Sequence, residues 1–269
     1  MGDEWSLAGA GPETYEEFQV PAVFEPLARL LLDRIGLKAG QSVLDVACGT
    51  GVVARKAAAI VGNSGRVVGV DFNGAMLEVA TKKIPPGVSN IEWQQADASD
   101  LPIRDATIDV AICQQGLQFF PDKVAALREM HRALKPDGRI WLAVWQSPEY
   151  SPVNQAQNQV LGRHLGPDAA KVSRAPFSLG DPEELRSLMS AAEFRDIEIQ
   201  ESTITRHMTP PQISIPAQLT SIPLGAQIAA LEEDKRSAIV AEISEILSPY
   251  LTGEGMSVPQ GTHIISARK

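Results

Sequence analysis

The chain has 269 residues, of which 44% are hydrophobic and 21% are charged, as in a folded globular protein rather than a disordered one. Asp and Glu number 33 against 24 Lys and Arg, and the formal net charge of -9 disfavours non-specific binding to nucleic acid or to an anionic membrane. Two cysteines cannot form a disulfide framework, and the apolar runs are too short to span a bilayer. We therefore expect a cytoplasmic protein.

Short apolar runs alternate with helical patterns between residues 42 and 145. Strands are predicted at residues 43–46, 66–70, 91–95, 108–113 and 139–145. Helices are predicted at residues 52–61 and 73–83, and a third is expected to begin after Asp122, a typical N-cap, and to end at the turn 135–138. This regular alternation with short turns predicts a parallel sheet that is covered by helices on both faces.

The segments that flank this core are mainly helical. Apolar residues at helical spacing predict helices at 21–35 and 151–165. Asp181, a cap followed by a proline, starts a helix that is expected to end near residue 192, and a strand follows at 195–205. A proline-rich segment at 209–223 is expected to precede a helix at 226–250 and a final strand at 262–268.

These elements divide the chain into four parts. We expect an N-terminal helical cap at 1–40, an α/β core at 41–146 and a lid insertion at 147–180. Residues 181–269 are expected to complete the core and to hold a helical lid between the last two strands. A linker between independent domains is not evident, so we interpret the additional helices as a lid on one sheet.

A glycine-rich turn follows the first predicted strand. The pattern Gly49-x-Gly51-x-x-Ala54 exposes backbone N–H groups at the start of a helix and allows a ligand to approach the main chain. Asp71 lies 20 residues beyond Gly51, at the end of the second strand, where a carboxylate can accept hydrogen bonds from ribose hydroxyls. These features alone are compatible with a dinucleotide as well as with another adenosine-containing cofactor.

Polar residues also follow the third and fourth strands. Asp97 lies where a carboxylate can accept a hydrogen bond from an adenine amino group, which a dinucleotide fold does not require. Gln114 opens a polar segment after the fourth strand. Ligands of open parallel sheets bind beyond the carboxyl ends of the strands, so Asp45, Gly49, Asp71, Asp97 and Gln114 are expected on one rim.

Four segments carry a family resemblance: 43–51 (VLDVACGTG), 68–80 with VGVD and MLEVA, 96–102 (ADASDLP) and 134–138 (LKPDG). Together they resemble the class I S-adenosylmethionine-dependent methyltransferases. Within that class the sequence is most similar to the small-molecule group that includes the ubiquinone and menaquinone biosynthesis C-methyltransferases. Two residues depart from the family pattern, because Ala47 and Asp137 stand where glycines are common.

The resemblance implies an α/β, Rossmann-like, doubly wound sheet of seven strands, with the last strand antiparallel and with helical lid insertions. It also implies S-adenosylmethionine as cofactor and S-adenosylhomocysteine as product. In such enzymes the residues that correspond to this turn and rim contact the cofactor. The methionine part would then contact Asp45, the glycine turn with Ala47, Gly49 and Gly51, and the main chain of Gln114. The ribose would contact Asp71, and the adenine would contact Phe72, Met76, Asp97 and Ala98.

Two aromatic residues precede the first predicted helix. Tyr15 and Phe18 resemble the N-terminal aromatics that close over the cofactor in related enzymes. The alternative interpretation is a frayed amphipathic tail, and the sequence leaves both open.

The sequence offers no convincing general base. Transfer of a methyl group from a sulfonium depends mainly on alignment and on exclusion of water, so a dedicated base is not required. His164 and His207 are weak catalytic candidates because they lie in or beside the lid segments. No cluster of residues has metal-ligand spacing, and no metal is expected.

The methyl acceptor is expected to be a small molecule that is methylated on oxygen, nitrogen or carbon, such as an aromatic or secondary metabolite. Candidate acceptor contacts are Phe119, Trp145, Tyr150 and Phe177 for apolar groups and Arg163 and Arg174 for anions. A homodimer that pairs the helical segment 226–250 with a second copy is left open beside a lid role for that segment.

Two rival functions share part of this pattern. An NAD(P)-dependent oxidoreductase would use the same glycine turn and Asp71, but it leaves Asp97 and the turn at 135–138 unexplained. A non-enzymatic module that only binds S-adenosylmethionine would have a closed or absent acceptor pocket.

Overall fold

A mixed β-sheet forms the centre of the computed structural model, which describes residues 11–269. The strands are Ser42–Val46 (β1), Arg66–Asp71 (β2), Ile91–Gln95 (β3), Ile108–Gln114 (β4), Leu134–Trp145 (β5), Arg195–Met208 (β6), Leu251–Thr252 (β7) and Gly255–Arg268 (β8). Their order is β3-β2-β1-β4-β5-β8-β6, and β7 pairs only with β8. The first five strands pair in parallel, whereas β8 is antiparallel to each of its three partners, β5, β6 and β7. The predicted seven-stranded sheet with an antiparallel last strand is confirmed.

Helices surround this sheet and cover its carboxyl edge. They are Gly11–Thr14 (α1), Glu25–Ile35 (α2), Val52–Val61 (α3), Gly74–Lys82 (α4), Lys123–Ala133 (α5), Pro152–Leu165 (α6), Pro167–Arg174 (α7), Pro182–Ala191 (α8), Pro211–Thr220 (α9), Gly225–Ala229 (α10) and Glu233–Ile246 (α11). Asp122 and Asp181 cap α5 and α8 by accepting hydrogen bonds from backbone N–H groups, as predicted. Among residues 11–269, no helix has the length and apolar character needed to cross a membrane.

Alternate side chains of each strand point to opposite faces of the sheet, and helices cover both faces. On β1, Leu44 and Val46 join a core with residues of α5 and α8, whereas Val43 joins a second core with residues of α2 and α3. A third core lies among the lid helices α6, α9 and α11. The apolar face of α11, which includes Ile239 and Ile243, is therefore buried within its own chain.

The N-terminal helix differs from the prediction. A continuous helical segment begins at Gly11, and a π-helix, Tyr15–Phe24, joins α1 to α2. The predicted start at residue 21 is wrong, because Pro21 lies inside the π-helix instead of opening a helix. Wider π-helical turns often occur at functional sites, and this one places four of its residues in the cleft described below.

The C-terminal elements also differ from the prediction. The proline-rich segment contains α9, since Pro211 occupies a first-turn position that needs no N–H donor. The single helix predicted at 226–250 is divided into α10, α11 and a short 3₁₀ turn, Ser248–Tyr250. Strand β8 begins at Gly255, well before residue 262, and pairs with the extended end of β6. The periodicity of the sequence did not reveal these boundaries, because the apolar residues of these elements are buried against other lid elements and not against the sheet alone.

Candidate active site

The glycine turn, residues 47–51, connects β1 to α3 at the carboxyl edge of the sheet. Ala47, Gly49 and Gly51 all have positive φ angles, of 57°, 55° and 84°. A Cβ atom at Gly51 would lie 2.4 Å from the Trp93 ring, so the chain passes directly against that indole. The turn therefore requires glycine at Gly51 for backbone and packing reasons together. Ala47 adopts the left-handed conformation at the position where the family commonly has glycine.

Asp71, the last residue of β2, fixes this turn to the sheet. Its Oδ2 accepts a hydrogen bond from the Gly49 N–H at 2.8 Å, and its Oδ1 accepts one from the Asn73 N–H at 2.8 Å. Burial raises the pKa of this carboxyl group, and the two N–H donors partly oppose that effect. The carboxylate also lines the cleft, where its remaining lone pairs can accept hydrogen bonds from a ligand.

Asp45 lies behind the turn and not in the cleft wall. Its Oδ2 accepts a hydrogen bond from the Ala54 N–H at 3.0 Å, and its side chain is fully buried. Burial, with a smaller contribution from the charge of Asp71, raises the pKa of Asp45 to about 8. The structure thus places this residue beneath the main chain of the turn, one layer away from the cleft.

The cleft lies between the carboxyl ends of the strands and the lid. It contains about 1260 Å³ of space outside the protein atoms, its open mouth included. Of the residues predicted for the site, it brings together Tyr15, Ala47, Gly49, Asp71, Phe72, Met76, Gln114, Phe119 and Trp145.

A smaller recess adjoins the cleft beside Asp71 and Phe72. It is lined by Asp97 and Ala98, and its empty space is about 290 Å³. The Ser99 N–H and hydroxyl donate hydrogen bonds to Asp97 Oδ1, and these bonds lower the pKa of the Asp97 carboxyl group. Asp97 is therefore ionised at neutral pH and is a hydrogen-bond acceptor.

Aromatic side chains form one wall of the cleft. The ring of Phe24 lies 5.0 Å from that of Tyr15 and 6.2 Å from that of Trp145, measured between centroids. Gln114 Nε2 donates a hydrogen bond to the Phe24 carbonyl at 3.2 Å, which ties the π-helix to the end of β4. Burial raises the pKa of the Tyr15 phenol, so this hydroxyl is neutral.

The cleft is also lined by polar side chains, which we call the polar wall and define as Gln19, Arg206, Gln218, Ser221 and Gln260. Arg206 Nη2 donates to Gln19 Oε1 at 2.7 Å, and Gln19 Nε2 donates to the Ser221 hydroxyl at 2.8 Å. None of these five residues was predicted from the sequence. One signal was available, because Arg206 lies between Ile204 and Met208 at the two-residue spacing that places all three on the same, buried face of β6.

Several predicted acceptor contacts lie outside the cleft. Tyr150 is 55% exposed, while Arg163 and His164 both pair with Glu242 of α11 at 2.8 Å. Arg174 and Phe177 line a separate pocket formed within residues 148–178. Phe18 and His207 line a surface groove, where His207 lies near Ser257. These residues were misplaced because the sequence predicts the lid helices but does not show which face of each helix lines the cleft.

Comparisons with known proteins agree with this architecture. The profile of the ubiE/COQ5 methyltransferase family matches residues 27–205. The chain is 35% identical over 181 residues to the ubiquinone/menaquinone biosynthesis C-methyltransferase UbiE of Cronobacter sakazakii, covering 63% of this chain and 72% of that protein. It is 34% identical over 187 residues to UbiE of Idiomarina loihiensis, covering 65% and 74% of the two chains.

Solved structures show the same fold. YcgJ of Bacillus subtilis superposes with a TM-score of 0.60 at 22% identity, covering 90% of this chain and 97% of that one. Phosphoethanolamine N-methyltransferase 2 of Haemonchus contortus, solved in complex with S-adenosyl-L-methionine, superposes with a TM-score of 0.58 at 21% identity, covering 90% and 52%.

The fold, the glycine turn and the sequence relatives together define an S-adenosylmethionine-dependent methyltransferase that acts on a small molecule. More narrowly, the chain belongs to the ubiE/COQ5 methyltransferase family. The rival interpretations, an NAD(P)-dependent oxidoreductase and a non-enzymatic binding module, are not favoured by these findings.

Proposed function

We propose that the strand-end side of the cleft holds S-adenosylmethionine. The ribose hydroxyls would be bound by Asp71, and the adenine would enter the recess of Asp97 and Ala98 beside Phe72. Gly49 and the Gln114 main chain would face the methionine part. The observation that supports this assignment is that acceptors and backbone donors from three strand ends converge on one cleft.

The other roles predicted for the cofactor site follow from the same arrangement. We assign Met76 to the adenine face and Tyr15 to closure over the cofactor, because both line the cleft. Asp45 would act through the first turn of α3, which follows the glycine turn and donates the Ala54 N–H to it. Gly51 would keep the turn close to Trp93.

The aromatic wall and the polar wall would bind the methyl acceptor. Phe119 and Trp145 remain in this proposal because they line the cleft. The proposed acceptor site does not include Tyr150, Phe177, Arg163 or Arg174, because none of the four lines the cleft. The predicted cytoplasmic location and homodimer stay predictions, although burial of the apolar face of α11 favours the lid role for that helix.

The chemistry follows from the groups in the cleft. When bound, S-adenosylmethionine supplies a methyl group on a positively charged sulfur with a neutral thioether as leaving group. Among the described residues that line the cleft there is no histidine, and His164 and His207 lie outside it. The protein would therefore act by aligning the acceptor and by excluding water, without a histidine base.

Calorimetric titration tests the cofactor assignment. We expect S-adenosylhomocysteine to bind the wild-type chain with micromolar affinity and NADH not to bind. Asp71→Ala should weaken the binding at least tenfold, about 1.4 kcal/mol. Glu92→Ala is the matched control, because this carboxylate lies on the adjacent strand and pairs with Arg66 at the surface. Binding of NADH alone would contradict the proposal.

A further inference from the structure

Arg206 is a buried cation without a counter-ion. Its side chain lies in the polar wall on β6 and is only 4% exposed. Its hydrogen-bond partner is the neutral Gln19 amide oxygen, and its Nε atom is buried without any partner. Within residues 11–269, Arg206 takes part in no ion pair. A guanidinium group buried in this way loses hydration that the protein does not replace.

The neighbours of Arg206 do not neutralise it. Desolvation by burial lowers the pKa of Arg206 to about 10, and no nearby carboxylate opposes the effect. The group nevertheless keeps its charge at neutral pH. One other donor of the polar wall, Gln260 Nε2, is also buried without a partner. Unpaired donors on one wall of a cleft indicate that an acceptor group of a ligand completes them.

The number of charges limits the ligand. Among the described residues that line the cleft, Arg206 is the one cationic side chain, and Asp71 is the one anionic side chain. A single guanidinium group matches a carboxylate in both charge and fork geometry. A phosphate carries nearly two negative charges and three acceptor oxygens, and this wall offers no second cation for it. The aromatic wall, which lines the same cleft, suits an apolar ring on the same molecule.

We propose that Arg206 binds a carboxylate group of the methyl acceptor, so that the acceptor is an aromatic organic acid. The proposal rests on the proposed function, because it takes the space beside the cofactor site to be the acceptor site. It adds to the family assignment, since Arg206, Gln218, Ser221 and Gln260 all lie beyond the matched segment 27–205.

Matched pairs of acids and amides test this inference. A panel of benzoate, 4-hydroxybenzoate, cinnamate, 3-(4-hydroxyphenyl)propionate and indole-3-acetate, each beside its own primary amide, is titrated into the full chain with S-adenosylhomocysteine at saturation. We expect at least one acid to bind wild type ten or more times more tightly than its amide. That ratio should fall below two in Arg206→Met and to an intermediate value in Arg206→Lys.

The controls separate this inference from the cofactor assignment. Arg163→Met removes an arginine that pairs with Glu242 outside the cleft, and it should keep the full acid-to-amide ratio. The titrations with S-adenosylhomocysteine alone report whether each variant is folded and whether the cofactor site exists. If that ligand binds but no acid in the panel binds more tightly than its amide, the inference is overturned. A ratio that persists in both Arg206 variants overturns it as well.

Discussion

The glycine turn and the polar wall face the same cleft, but they are built differently. The turn is formed by the main chain. Asp71 accepts a hydrogen bond from the Gly49 N–H, and Asp45 accepts one from the Ala54 N–H in the helix that follows. The polar wall is formed by side chains from the π-helix, from β6 and β8, and from α9 and the residue that follows it. The conformation of the main chain restricts which residue types the turn accepts at each position. In the polar wall, by contrast, single side chains can be substituted without a change in the main chain.

A tight contact behind the turn provides the strongest test of its main-chain architecture. In Gly116→Ala the new Cβ would lie 2.5 Å from Ala47 Cβ and 2.8 Å from Cys113 Sγ. We expect a loss of about 2 to 3 kcal/mol in the free energy of unfolding, measured by urea denaturation. Gly253→Ala is the control, since nothing lies within 4 Å of that position.

The double variant Ala47→Gly/Gly116→Ala sharpens this test. Removal of the Ala47 methyl group removes the shorter contact and places glycine at a positive φ of 57°. We expect about half of the lost stability to return, because the contact with Cys113 remains. The single variant Ala47→Gly completes the cycle, and a double variant whose change in stability equals the sum of the two single changes would show that the positions are not coupled.

A second test asks whether the polar wall is independent of the turn. Gln19→Leu removes both hydrogen bonds of Gln19 and leaves Arg206 without its partner. We expect a loss of about 1 to 2 kcal/mol in the free energy of unfolding, with the affinity for S-adenosylhomocysteine unchanged within about twofold. Gln212→Leu, on the exposed face of α9, should change neither quantity. A large loss of cofactor affinity in Gln19→Leu would contradict the separation of the two regions.

The third test uses pH and concerns the turn alone. The pKa of Asp45 is about 8 in the folded protein against an ordinary value of 3.8. Between these values the folded chain binds a proton that the unfolded chain has released, so stability decreases as pH rises. Asp45→Asn should flatten this slope and be more stable than wild type by about 1 kcal/mol at pH 8.

Urea denaturation at pH 5, 6.5 and 8 measures that slope. Asp71, whose pKa is raised by burial in the same direction, should leave a residual slope in Asp45→Asn. Asp234→Asn, at the exposed start of α11, should retain the wild-type slope. If wild type and Asp45→Asn lose stability equally with pH, Asp45 is already ionised in the folded protein.

The smallest expected effect concerns the aromatic wall. Tyr15→Phe retains the ring contact with Phe24, and the phenol it removes is neutral because burial raises its pKa. We expect the affinity for S-adenosylhomocysteine to stay within about twofold of wild type by calorimetry. Tyr150→Phe, on an exposed ring outside the cleft, should behave identically. A tenfold loss in Tyr15→Phe alone would assign the hydroxyl itself to the ligand.

The contrast between the two regions also explains what the sequence could predict. The turn and Asp71 were predicted correctly because the glycines directly follow one strand and the carboxylate ends the next, a spacing that is visible in the sequence. The caps Asp122 and Asp181 were identified because helix N-termini require side-chain acceptors. Gln19 and Arg206 could not be identified as neighbours, because 187 positions separate them and only the folded lid brings them within 2.7 Å. Arg163 was mistaken for an anion contact because the sequence does not reveal its partner, Glu242.

The separate core of the lid has a consequence for redesign of the enzyme. The residues of α6, α9 and α11 pack mainly against one another and against the ends of β6 and β8. Groups that share a core unfold and refold as a cooperative unit. A library confined to the cleft-facing residues of these helices can therefore vary acceptor selectivity while the sheet and the glycine turn keep their own stability.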